Sequence, residues 1–501
     1  MDDDKINPEE KQPSAQEPRP IFETVPKEEQ PHEVQSSPQE PPQPQPQEPP
    51  FELQPEEAPP ELETPQEAPS NLDENRTKYF IIGAGALFFI IILILILRIL
   101  LGAGKKEPVR LTYWGLWEDK EVIQPLINAY QEKNKSITIE YQKMSPRDYK
   151  DKLIARSKNN QGPDIFRFHN TWIPEIKEVV ASLPQSVMSN TEFERTFYPI
   201  HQKNLKVGDQ YYGIPLMIDG LVLLYNDSLF KKAGISTAPS SWEDVIDYVG
   251  KLTVKTQENQ IVTAGIALGT AENIEHFQDI FALFLMQNGG DIRKLDQAEA
   301  VGALESYRKF AEQPNNFWDE TMPNSIDAFI QEKVAMIIVP SWQILTIKKA
   351  NPELDLRVVP VPAIPGGKPV SIATYWVEGV SKFSKNQKEA WKFLRYLAER
   401  ENMTRLYELQ AKTRPFGAAY SRVDLGQLLA QNEYLGAVIK QADSYVSVPA
   451  IARTYDNGLN DDIGQYIKNA INATTQDVSY AEAMRTAKQG VDQIFSRYQI
   501  E

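Results

Sequence analysis

Ten residues, Leu216 to Tyr225, constrain this chain more than any others. They form an almost unbroken apolar run, LMIDGLVLLY, entered through Gly213 and Pro215 and interrupted by one acid, Asp219. Such a run between turn residues predicts a strand buried on both faces, which in turn requires a sheet covered on both sides. A carboxylate inside it costs several kcal/mol unless it is paired or hydrogen-bonded. Asp219 is therefore either a structural acid satisfied by backbone amides, or a group shown to a ligand where the strand leaves one lobe and crosses a cleft. Asp227 and Ser228 then cap a short helix that stops at Gly234.

Strands and helices alternate on either side of this run. VRLTYWGLW, SITIEY and GPDIFRF read as strands. Between them lie a helix carrying Val122, Ile123, Leu126, Ile127 and Tyr130 at helical spacing and another through Tyr149, Leu153 and Ile154. Downstream, Ser241 and Asp244 form a capping box, and AGIALG and VAMIIVP add strands. KEAWKFLRYLAE is an amphipathic helix, residues 421–445 read as helical, and Asp461–Ala473 and Tyr480–Tyr498 close the chain as helices. Alternation of this kind predicts an α/β class with parallel strands under covering helices.

In such sheets ligands sit beyond the carboxyl ends of the strands. Those ends carry Trp114, Trp117, Glu118, His169, Asn170, Trp172, Trp342, Tyr375 and Trp376. Each aromatic taken singly is better explained by core packing than by ligand contact. Together with Asp, Glu and Asn they suit a polyhydroxylated ligand, whose C–H faces stack on rings and whose hydroxyls bond polar edges. Sites of this make-up are mostly apolar with a few placed polar groups.

Composition excludes several alternatives. The chain has no cysteine, hence no disulfide, thiolate metal site or thiol nucleophile. Its four histidines lack metal-ligand spacing, no serine lies in a G-x-S-x-G elbow, and no phosphate-cradling glycine motif occurs. DNGLNDD at 456–462 lacks the alternating ligands of a calcium loop and reads as an acidic helix N-terminus. No cofactor or metal is expected. Glu118 with Asp219 is the acid pair that a hydrolase reading would need.

The net charge of -16 is unevenly placed. Residues 1–77 hold 20 acids and 5 bases, together with 18 of the 37 prolines. Such a segment buries too little apolar surface to offset its ordering entropy and is expected to be an extended, disordered tail. The remainder carries 49 acids and 48 bases, so a nucleic acid is not an expected partner. Tyr79 to Leu97 contains no charge, and 78–101 is expected to be one membrane-crossing helix with Arg98 near its far end. A cleaved signal peptide is the competing reading, disfavoured by the length of the run and the tail before it. Residues 102–108 form a linker.

Taken in order, LTYWGLWED, GPDIFRFHNTW, YYGIPLMIDGLVLLYNDSLFKKAGI with PSSWEDV, AFIQEKVAMIIVPSW, ATYWVEGVSKFSKNQKEAWKFLRYLAE and the helices after ARTYDNGLNDDI resemble the extracellular solute-binding proteins of ABC importers, in the group similar to maltose-binding protein. The resemblance covers the chain from about Val109 onward. It implies a two-lobed periplasmic-binding-protein-like fold (type II), with lobe 1 over 109–218 and about 375–445, and lobe 2 over 219–374 and about 446–501. It implies a small-molecule solute, a mono- or oligosaccharide in class, held in the cleft and passed to ABC permease subunits, without catalysis. Matched position by position, it points to Trp117, Glu118, His169, Asn170, Trp172, Asp219, Trp342, Trp376 and Tyr455 as ligand-binding residues. It also implies an extracytoplasmic C-terminal domain and so a cytoplasmic tail. A non-transporting sensor or scaffold of the same fold is the alternative.

Overall fold

The structure, a computed structural model, describes residues 85–94 and 107–500. The expected tail over 1–77 and linker residues 102–106 lie outside the described residues. Of the expected membrane span only 85–94 is described; it is helical, with large apolar side chains exposed from Leu87 to Ile94. Among the described residues no helix is long and apolar enough to cross a membrane.

From Pro108 onward two five-stranded sheets are present. The first contains β1 (Val109–Gly115), β2 (Ile137–Lys143), β3 (Ile165–His169), β4 (Ile214–Pro215) and, much later, β10 (Trp376–Val380), in the order β2-β1-β3-β10-β4. β1 runs parallel to β2 and β3, while β10 is antiparallel to β3 and β4. The second contains β5 (Leu221–Asn226), β6 (Val254–Lys255), β7 (Ile261–Ile266), β8 (Val334–Pro340) and β9 (Leu356–Val359), in the order β9-β5-β8-β7-β6. β8 lies parallel to β7 and antiparallel to β5. Both sheets are therefore mixed, and each forms one α/β lobe.

The helices follow the sheets. Lys120–Lys133 packs on β2, and Gln387–Leu397 and Arg400–Ala411 pack against it. Phe277–Gln287 and Ala298–Arg308 cover the second lobe with Leu459–Ala473 and Tyr480–Tyr498. The capping box of Ser241 and Asp244 is formed, and Asp456 accepts from the Asn460 amide at 2.8 Å at the start of Leu459–Ala473. Residues 421–445 do not make one helix; they break into short turns, and Gly436–Lys440 packs on β5 and β9 of the second sheet.

The apolar run 216–225 is likewise not one strand. Residues 214–215 belong to the first sheet and 221–226 to the second, so 216–220 is the segment between them. The chain crosses again at 373–375, and a third time between Arg400–Ala411 and Gly436–Lys440. Gly220 bridges Ala373 where the first two crossings meet. A Cβ there would lie 2.4 Å from the Ile372 carbonyl oxygen and from the Tyr445 ring, so the close approach requires glycine.

Candidate functional site

A cavity of about 270 Å³ opens between the two sheets, walled by strand ends and crossings. Trp117 and Glu118 reach it from the turn after β1, His169 from the end of β3, and Asp219 from the first crossing. Trp342 comes from the end of β8, Trp376 from the start of β10, and Tyr455 from the segment before Leu459–Ala473. Seven of the nine expected site residues thus share one cavity. Asn170 and Trp172 do not line it. The Asn170 side chain accepts from the Tyr375 backbone N–H at 3.1 Å and donates to Ser447 at 3.0 Å, tying a strand end to two later segments. Trp172 is fully buried and backs Trp376 from behind.

Trp376 is the aromatic hub. Its ring centroid lies 5.4 Å from Trp117, 5.4 Å from Trp172 and 5.2 Å from His169, all in edge-on contacts. Trp117 meets Tyr455 at 6.0 Å. These contacts fix the rings of the wall before any ligand arrives, which reduces the entropy lost on binding. Trp342, on the second lobe, is 36% exposed and meets the His276 ring at 5.7 Å.

The polar groups divide by what already holds them. The Asp219 carboxylate accepts from the backbone amides of Gly220 at 2.7 Å and of Ser341 and Trp342 at 3.2 Å. Burial pushes its pKa up to about 6, against these hydrogen bonds, which favour the charge. Backbone amides thus satisfy Asp219, as the structural reading expects, and the residue also lines the cavity. His169 bonds Thr171 at 2.8 Å and Thr374 at 3.0 Å, and burial lowers its pKa to about 3, so it is neutral.

Glu118 is turned to the protein. Its carboxylate pairs with Arg167 and accepts from Gln410 at 3.0 Å, while Arg167 also donates to Glu378 at 2.7 Å. Burial pushes Glu118 up, yet the Arg167 and Arg414 charges outweigh it and hold the pKa below the ordinary carboxylate value. Both Glu118 carboxylate oxygens are taken, one by Arg167 and one by Gln410, which argues against pairing it with Asp219 as a hydrolytic dyad.

Tyr455 sits on unusual backbone. Arg453, Tyr455 and Asn457 have φ of 61°, 57° and 47°, a left-handed region that non-glycine residues seldom enter. Surrounding bonds hold it there. The Ala452 amide donates to Asp279 at 3.0 Å, the Ile451 amide to Asn460 at 3.1 Å, and Arg453 pairs with Glu275. The alternation turns Arg453 and Tyr455 to the same cavity.

Sequence reasoning missed Arg414, Phe416 and Arg453, which also line the cavity. Arg414 and Phe416 belong to an irregular segment without helical or strand period, so patterning could not find them. The one available sign was a cation beside Pro415 and Phe416 in an otherwise polar stretch.

Comparison with known proteins adds a family assignment. Residues 114–404 match the family described as bacterial extracellular solute-binding protein. The maltodextrin-binding protein MdxE of Bacillus subtilis is 29% identical over 283 residues, covering 52% of this chain and 62% of that protein. A putative binding protein of Brucella abortus is 26% identical over 289 residues, covering 54% of this chain and 67% of that protein. Among solved structures, a cyclo/maltodextrin-binding protein complexed with maltotetraose superposes with a TM-score of 0.64 at 18% identity, over 78% of this chain and 98% of that one. At that identity the likeness establishes the two-lobed fold alone.

Proposed function

This chain belongs to the bacterial extracellular solute-binding proteins, and on that premise we propose that its cleft binds a mono- or oligosaccharide for an ABC importer. The observation that carries the reading is the wall itself: Trp117, Trp376, Tyr455 and Trp342 line one cavity together with Asp219. Rings on both lobes offer stacking faces to a sugar, and the fixed carboxylate offers an acceptor to its hydroxyls. The maltodextrin-binding relative and the fold neighbour holding maltotetraose support the same ligand class. Closure of the two lobes over the sugar would present a changed surface to the permease subunits that receive it.

The proposal extends to location. The charge-free run from Tyr79 to Leu97 anchors the domain in the membrane, with the tail on the cytoplasmic side and the two lobes outside. The exposed apolar side chains of Leu87 to Ile94 support that reading. A short linker then keeps the receptor beside its permease.

A thermal-shift screen of the full chain in mild detergent against a saccharide library tests the binding. A ligand that binds only the native state at about 100 times its Kd stabilises it by about 2.7 kcal/mol, a readily measured rise in midpoint. A cooperative melt that no saccharide shifts refutes the sugar reading. Protease added to intact cells tests the location: the lobes should be cut and the tail protected.

A further inference from the structure

Four charged side chains line the cavity, and three are already committed. Glu118 holds Arg167 and Gln410, Asp219 accepts three backbone amides, and Arg453 pairs with Glu275. Arg414 differs. Its Nε donates to the Phe416 carbonyl oxygen at 3.0 Å, and its Nη1 and Nη2 have no hydrogen-bond partner among the described residues. No carboxylate comes within ion-pair distance of it there; Glu118 and Asp219 act on it only at longer range. Burial lowers its pKa, the Arg167 charge adds to that, and the Glu118 and Asp219 charges oppose it.

We propose that the saccharide carried in this cleft bears a carboxylate, as a uronic acid does, and that Arg414 grips it through Nη1 and Nη2. The proposal rests on the carbohydrate reading above and narrows its ligand class. A guanidinium presents its donors as a planar fork that matches a carboxylate with two parallel bonds. Sugar hydroxyls could accept the same hydrogen bonds, but only an anion adds a counter-charge at bonding distance to those of Glu118 and Asp219 farther away. A phosphate dianion fits less well: His169 is neutral and the Ser341 and Trp342 amides are occupied by Asp219, so one cation is available for one negative charge. Phe416 and the Trp117–Trp376 pair provide apolar walls for the ring that carries the acid.

Calorimetry on the full chain with matched pairs decides the matter: glucuronic acid against glucose, galacturonic acid against galactose, and the corresponding disaccharides. The expected result is an acidic sugar that binds at least about tenfold tighter than its neutral counterpart, with Arg414→Gln removing that advantage and Arg414→Lys removing part of it. The neutral counterpart should lose less affinity in Arg414→Gln than the acidic sugar does, since it gives up hydrogen bonds but no ion pair. Higher salt should weaken the acidic sugar selectively. A neutral sugar that binds as tightly as its acidic counterpart overturns the proposal and leaves the carbohydrate reading standing. So does an acidic sugar indifferent to Arg414→Gln in a variant that melts like the wild type. Should that variant not fold, the wild-type pairs alone decide between the two outcomes. Silence across both halves of the panel overturns the carbohydrate reading and this proposal together.

Discussion

Replacing Arg167 with methionine probes the charge network behind the cleft. The Arg167, Glu118 and Glu378 side chains are 5%, 4% and 1% exposed, so the three share a site almost closed to water. Methionine keeps much of the apolar stem and removes the cation, leaving two carboxylates unpaired. At pH 7 the least costly answer is to fold with a carboxyl protonated. That lies roughly 2.7 pH units above an ordinary Glu pKa of about 4.3, and at about 1.4 kcal/mol per unit it costs about 4 kcal/mol. The figure agrees with the ~3–5 kcal/mol typical of a buried pair that loses one partner.

The sign with pH follows from the two carboxyls, of which burial pushes Glu378 up in the wild type while Arg167 holds Glu118 down. Glu118 is held below its ordinary pKa in the folded protein, so it contributes stability above about 4.3 that is lost as pH falls through its folded value. In the variant the protonation cost also disappears below that point. The gap between wild type and Arg167→Met should therefore narrow from pH 7 toward pH 4. Urea unfolding of the full chain, followed by tryptophan fluorescence at both pH values, reads it. A penalty below about 1 kcal/mol, or one of the same size at both pH values, would refute the reasoning.

Trp342→Ala should weaken sugar binding by roughly 1–3 kcal/mol in calorimetry while leaving the melting temperature near that of wild type, because the ring is partly exposed on the cavity wall. Asn460→Ala removes bonds to Thr171, Asp456 and the Ile451 amide, and should destabilise the apo protein by roughly 1–3 kcal/mol in a thermal melt. The Asp219 carboxyl titrates near 6 when folded, above the ordinary ~3.9, so the stability of its protonated form is present below ~3.9 and lost as pH rises through about 6. Comparing wild type with Asp219→Asn in pH-dependent melts should show the difference between them changing across that window and flat above it.

Much of the fold was legible because burial imposes periods. The first three strands and Lys120–Lys133 follow from where apolar residues recur, and the capping box at Ser241 and the acidic start of Leu459–Ala473 follow from side-chain chemistry at a helix start. The failure at 216–225 has a physical reason. A segment passing between two lobes is as buried as a central strand, so its composition is the same, and only pairing partners reveal the break. The site was legible through ring residues at strand ends, but that pattern does not separate the ring a ligand touches from the ring behind it; Trp376 and Trp172 differ only in depth. Arg167 left a usable trace, a charge between two phenylalanines in IFRF, whereas its partner Glu378 is distant in sequence. Arg414 left almost none, since irregular segments carry no period.

Asp219 also stands at the start of a helix to which it does not belong. The Ser341 and Trp342 amides it accepts are the first donors before Gln343–Ala350, so a residue more than a hundred positions earlier acts as that helix's cap. A solute that draws on this carboxylate must therefore share it with the helix. The helix is about 12 Å long at about 1.5 Å per residue, and its Leu345 and Thr346 line the same cavity, so one carboxylate ties the cavity floor to the helix that forms part of its wall.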